Sequence, residues 1–183
     1  MGTTHNKHTV KFRLLDSYLA VIKNSVGSRM FRNLYASVAG VTTDVSRDGQ
    51  LSCAFFVSSV LTMLALAKSS HATVTSTIQD LRENGWQEVP TDGTDPLPGS
   101  VLVWEKIDFG DNNLHGHIGF YIGNGTAISN DETTGMPAAH PWLSPKRKIE
   151  FIFWHPKLSD EKTKETEDSA ALFTGPLRSR ISN

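Results

Sequence analysis

The stretch that most constrains this fold is the apolar run over residues 53–67, opened by Leu51-Ser52-Cys53-Ala54-Phe55-Phe56-Val57. It is too long for a typical strand and holds neither Gly nor Pro, so a buried helix is expected there. Cys53 is the only cysteine of the chain and falls in the first turn of that helix, after the polar run Ser46-Arg47-Asp48-Gly49-Gln50. Free N–H groups and the positive end of the helix dipole favour a thiolate at such a place, with a pKa below the roughly 8.5 of a free cysteine. A lone Cys before an apolar helix is also ordinary core, so what decides its role lies downstream.

Upstream, Phe12, Leu15, Leu19 and Ile22 recur at helical spacing over residues 9–26, and Gly27 is a plausible stop. A short helix is expected over 30–38, through Phe31, Leu34 and Tyr35, and a loop over 39–50. After the Cys53 helix, Thr73 or Thr75 is placed to cap another, with Val74, Ile78 and Leu81 on one face and Gly85 past its end. From Trp86 the period becomes strand-like. Strands are expected at 101–104, 118–122, 126–130 and 148–154, with a hairpin at Gly123-Asn124-Gly125 and a Gly/Pro-rich loop over 131–145. Helices first and antiparallel strands second is the α+β pattern. The division expected is a helical segment at 1–35, a main domain at 36–156 and a polar, disordered tail at 157–183.

The 183 residues fit one domain with a sizeable core. A net charge of -1 points to neither nucleic acid nor a membrane surface as partner. One cysteine excludes an intrachain disulfide. The apolar run is too short and too Ser/Thr-spotted to cross a bilayer. No h-region follows the N-terminal residues, so a cytoplasmic location is expected, with export by another route left open. A monomer is the default.

Cysteine-dependent amide hydrolysis needs a thiol nucleophile, an imidazole to take and return its proton, and a polar group to hold that imidazole in the right tautomer. Cys53 and His117 are the candidates for the first two. The third is sought across the hairpin, at Asn130 or Ser129, or further on at His140. Ser129 and Asn130 point to opposite faces of a strand, so only one can approach His117. The side-chain chemistry of a carboxamide favours Asn130.

At this point the residues resemble a family. Ser52-Cys53-Ala54-Phe55-Phe56-Val57, Pro98-Gly99-Ser100-Val101-Leu102-Val103-Trp104 and His117-Ile118-Gly119-Phe120-Tyr121-Ile122-Gly123-Asn124-Gly125 are similar to the motifs of the NlpC/P60 cysteine peptidases, within the papain-like group that includes the CHAP amidases. The resemblance covers residues 36–154. It implies a small antiparallel sheet packed on the nucleophile-bearing helix. It also implies hydrolysis of amide bonds in peptidoglycan-type peptides through a thioester, with no cofactor and no metal, on a peptide or muropeptide substrate. Tyr35, Ser52 and His140 would then contact substrate. Ser52 stands where the family has Asp, Ala54-Phe55 where it has Ser-Gly, and Ser129 where many members have an orienting His.

Other readings of the same residues are an acyltransferase, with Phe55-Phe56 beside an acyl chain, and a non-catalytic peptide-binding domain. His115, His117 and His140 as metal ligands are a further reading, in which Cys53 has no role.

Overall fold

The computed structural model describes residues 10–108, 113–145 and 147–159. The chain begins with α1 (Leu14–Asn24), whose apolar spacing turns Leu15, Tyr18 and Ile22 inward. Tyr18 meets Phe120 edge-on at 5.7 Å and donates its hydroxyl to the carbonyl of Gly99 at 3.1 Å. The helical segment expected at 1–35 therefore shares one core with the residues that follow.

No helix forms over 30–38. Leu34 instead leads into β1 (Tyr35–Val38), paired antiparallel with β2 (Val41–Asp44). Ala39 and Gly40 both take positive φ, at 50° and 82°, which makes the tight two-residue turn that suits a twisted hairpin. β-branched residues on both flanks add to the strand preference. Asp44 anchors the base of this hairpin, accepting from Leu34 N at 3.1 Å, Asp48 N at 2.9 Å and Ser46 Oγ at 2.7 Å. These bonds, that from Ser46 foremost, hold its carboxyl well below the usual carboxylate range.

The apolar run forms α2 (Cys53–Met63). Ala54, Phe56, Val57, Val60 and Leu61 are all buried, which fits a segment apolar on nearly every side. Phe56 packs on Phe120 at 5.4 Å and on Phe31 at 5.0 Å. Then α3 (Val74–Glu83) starts at Thr73, which accepts from Ser76 N at 3.1 Å, and ends against Gly85 at a φ of 88°. The buried carboxylate of Asp80 staples the connecting loop to α3. It accepts from Lys68 N and Ser69 N, both at 3.0 Å, from Asn84 Nδ2, and pairs with His71 Nε2 at 2.6 Å.

The sheet is antiparallel and six-stranded, built from β3 (Gln87–Val89), β4 (Val101–Asp108), β5 (Leu114–Gly123), β6 (Thr126–Asp131), β7 (Met136–Pro141) and β8 (Ile149–Trp154). Its strand order is β3-β8-β4-β5-β6-β7. The fold is α+β. Val101, Val103, Ile118, Phe120 and Ile128 face the helices and build the main core. Leu102, Trp104, Tyr121, Ala127, Trp142 and Ile152 form a smaller cluster on the other face.

The loop expected over 131–145 contains β7. This edge strand tolerates Pro137 and Pro141 because one side of it has no ladder to complete. Most of the tail expected at 157–183 lies outside the described residues. Its first residues do not stand free of the core. A 3-10 turn, Pro156–Leu158, buries Leu158, and Trp154 Nε1 donates to Ser159 Oγ at 3.0 Å. No helix among the described residues is long and apolar enough to cross a membrane.

Candidate active site

Cys53 is the first residue of α2, where backbone N–H groups have no partner one turn earlier in the helix. Its sulfur lies 4.0 Å from the carbonyl of Gly116, the residue before His117 on β5. Cys53 and His117 line one cavity of about 520 Å³, together with Ala54, Leu51, Gly116, Asn130 and Val74 among others. No side chain stands at Gly116, where a Cβ would meet Val74 at 3.5 Å.

The environment reverses the lowered thiol pKa expected at a helix start. Burial pushes the Cys53 thiol up, against the opposing pull of the N–H groups of Ile118 and Ala54 and of the Arg147 guanidinium. Burial also pushes the His117 imidazole down, to about 3, helped by Arg147 and His140. Both shifts disfavour charge, so the resting pair is thiol and neutral imidazole, not thiolate and imidazolium.

The side chain that meets His117 is Ser129, not Asn130. His117 Nε2 lies 2.7 Å from Ser129 Oγ, and Ser129 Oγ lies 2.6 Å from His140 Nε2. His140 Nδ1 in turn meets the carbonyl of Pro141 at 2.8 Å. The Trp104 ring backs both imidazoles, 5.2 Å from His117 and 5.7 Å from His140, and is fixed by donating Nε1 to the Trp142 carbonyl at 3.1 Å. Ser129 and His140, alternatives in the sequence, are brought together by the structure.

Asn130 projects to the helix side. Its Nδ2 donates to the carbonyl of Gly49 at 2.6 Å, four residues before the candidate nucleophile. The same loop is pinned by a close approach of Gly49 to Gly135, where a side chain on either would meet backbone. Asn130 thus steadies the loop that feeds α2. Ser52 is fully buried and donates to the Gly49 carbonyl at 3.1 Å, so it is closed off from any ligand. Tyr35 is exposed on β1 and does not line the cavity, although its neighbour Ala36 does. Phe55 packs on Phe31 at 6.3 Å, and Phe56 is buried in the core, so neither lines the cavity. Among the described residues, no group of three or more His, Cys, Asp and Glu is arranged to hold a metal ion.

A second cavity, of about 710 Å³, opens on the other side of His117. It is lined by Trp104, Ser129, His140 and Arg147 among others. Arg147 donates to the carbonyl of His115 at 3.3 Å. It is a cation close enough to bias both Cys53 and His117, and no pattern in the sequence marked it.

No family model and no curated protein matches this sequence. The solved structure of NlpC2 from Trichomonas vaginalis is similar to 80% of this chain, at 16% identity and a TM-score of 0.49. The match covers 48% of that chain, so the present sequence spans about half its length.

Proposed function

We propose that this protein is a cysteine amidase or peptidase of the NlpC/P60 type, acting on amide bonds of peptidoglycan-type peptides. The observation that carries the reading is the pairing of one cavity with one polarised imidazole. Cys53 heads a buried helix at that cavity, and His117 lines the cavity too, with Nε2 engaged by Ser129. The motifs around Cys53 and His117 add the choice of family.

In this mechanism the Cys53 sulfur bonds to the substrate carbonyl carbon while His117 takes the thiol proton. The carbonyl π electrons move to oxygen, where the backbone N–H of Cys53 donates to the oxyanion. Collapse breaks the C–N bond, and the imidazolium returns its proton to the leaving amine. Water, deprotonated by His117, then attacks the thioester and frees the acid and the thiol. Starting from neutral partners, proton transfer accompanies attack.

The inward packing of Phe55 and Phe56 removes the feature that suggested an acyl chain, so hydrolysis is favoured over acyl transfer. Incubation with purified peptidoglycan and with γ-glutamyl peptides, read by mass spectrometry, tests the proposal. New amine and acid termini are expected, absent with Cys53→Ala. Products that persist in Cys53→Ala would overturn it.

A further inference from the structure

The chain of three hydrogen bonds behind His117 has a direction. The carbonyl oxygen of Pro141 can only accept, so His140 Nδ1, at 2.8 Å, must carry a proton. A neutral imidazole has one N–H, which leaves a lone pair on His140 Nε2. Ser129 Oγ sits 2.6 Å from that lone pair and must donate its single proton to it. With that proton committed, the hydroxyl can only accept from His117 Nε2 at 2.7 Å. With both rings neutral, any other arrangement sets two lone pairs, or two protons, against each other across one of these contacts.

We propose that His140, acting through Ser129, holds His117 in the tautomer protonated on Nε2, with the lone pair on Nδ1. His140 is a positioning residue in this account. It does not line the cavity that holds Cys53. Its role follows from what a serine lacks. A hydroxyl donates and accepts equally well, so Ser129 alone would accommodate either tautomer of His117 and select neither. The selection is made two bonds away, by a backbone carbonyl that cannot reverse. Trp104 supports it by backing both rings. Gly119 supports it too, since a Cβ there would lie 2.6 Å from Ser129 Cβ and displace the hydroxyl.

This inference rests on His117 being the base that serves Cys53, but its test reads the imidazole rings and not turnover. Long-range proton–nitrogen NMR of the ¹⁵N-labelled full chain, unliganded and at neutral pH, reports which ring nitrogen is protonated. His117→Gln and His140→Gln assign the signals. In the native chain His117 is expected protonated on Nε2 and His140 on Nδ1. In His140→Lys the side chain can only donate to Ser129, which turns the hydroxyl proton toward His117, so the Nε2-protonated form of His117 is expected to be lost. His117 protonated on Nδ1 in the native chain would overturn the proposal, as would an unchanged His117 in a folded His140→Lys. Should that variant fail to fold, the native tautomer of His140 decides, because a proton on its Nε2 breaks the chain at Ser129. The expected tautomers in a protein that cleaves no amide would leave the relay standing and remove the hydrolase.

Discussion

Ser129 lies directly across the ladder from Gly119, and this pairing decides which side chain reaches His117. Residues 117 and 119 share a face of β5, and Ser129 shares it with them. The room at Gly119 is what lets the serine side chain stand there. A Cβ at 119 would also meet the carbonyl of Ile128 at 2.8 Å. Gly119→Ala is therefore expected to displace Ser129 and lower kcat with little change in KM, as Ser129→Ala should. Steady-state kinetics on the cleaved peptide checks this, and a variant with native kcat would show that Ser129 does not orient the base.

Asn130 predicts a different phenotype. Removing its carboxamide takes the 2.6 Å donor from the buried Gly49 carbonyl, which keeps only Ser52. Losing one such bond costs about 0.5–1.5 kcal/mol. In a chain of this size that is a fall of roughly 1–6 °C in Tm. Asn130→Ala should lose stability, and its turnover should recover at low temperature, whereas Ser129→Ala should keep its Tm and lose turnover. Thermal melts and kinetics on the pair separate the two roles.

The neutral resting pair sets the pH behaviour. The native thiol, held up by burial, should react with iodoacetamide more slowly at pH 7 than the same thiol in the unfolded chain. The rate should climb with pH to a midpoint above the ordinary cysteine value. For kcat/KM the same pair predicts a broad level stretch across neutral pH, whose acid limb lies near the His117 value of about 3. A native rate faster than the unfolded one at pH 6 would mean a thiolate at rest.

Asp80 gives a stability prediction with a definite sign. Burial is the largest influence and raises its pKa, but the N–H groups of Lys68 and Ser69 together with His71 outweigh it and hold the carboxyl below its ordinary value. A group depressed in the folded state stabilises fully above its unfolded pKa of about 3.9 and loses that contribution as pH falls through the folded value. Asp80→Asn should accordingly lower Tm at pH 7 and lower it much less in strong acid. Melts at both pH values check the difference.

The helix at Cys53, the capped helix after Thr73 and the hairpin at Gly123-Asn124-Gly125 were legible because each has a local cause, in apolar length, a cap and a turn that needs positive φ. The parity of β6 was not. From the turn outward, Gly123 pairs with Thr126, and an unbroken ladder would bring Asn130 opposite Gly119. A one-residue bulge between Tyr121 and Gly123 shifts the count, so Ser129 takes that place. Nothing in the sequence marks that bulge. The strand β7 hid behind its two prolines, and with it the partnership of His140 and Ser129. The β1–β2 hairpin was missed because Phe31, Leu34 and Tyr35 fit helical spacing, while the Ala39-Gly40 turn that overrides it shows only in the backbone.

The position of Trp104 has an optical consequence. An indole lying beside two imidazoles, tilted against each, is quenched more strongly when a neighbouring ring gains a proton. Its fluorescence therefore reads the charge of the His117–His140 pair without label or substrate. Trp86 lies 5.3 Å from His155 and would respond as well, so the signal belongs to the difference between the native chain and Trp104→Phe. The tryptophan that walls the imidazoles is thereby also a built-in gauge of their ionisation.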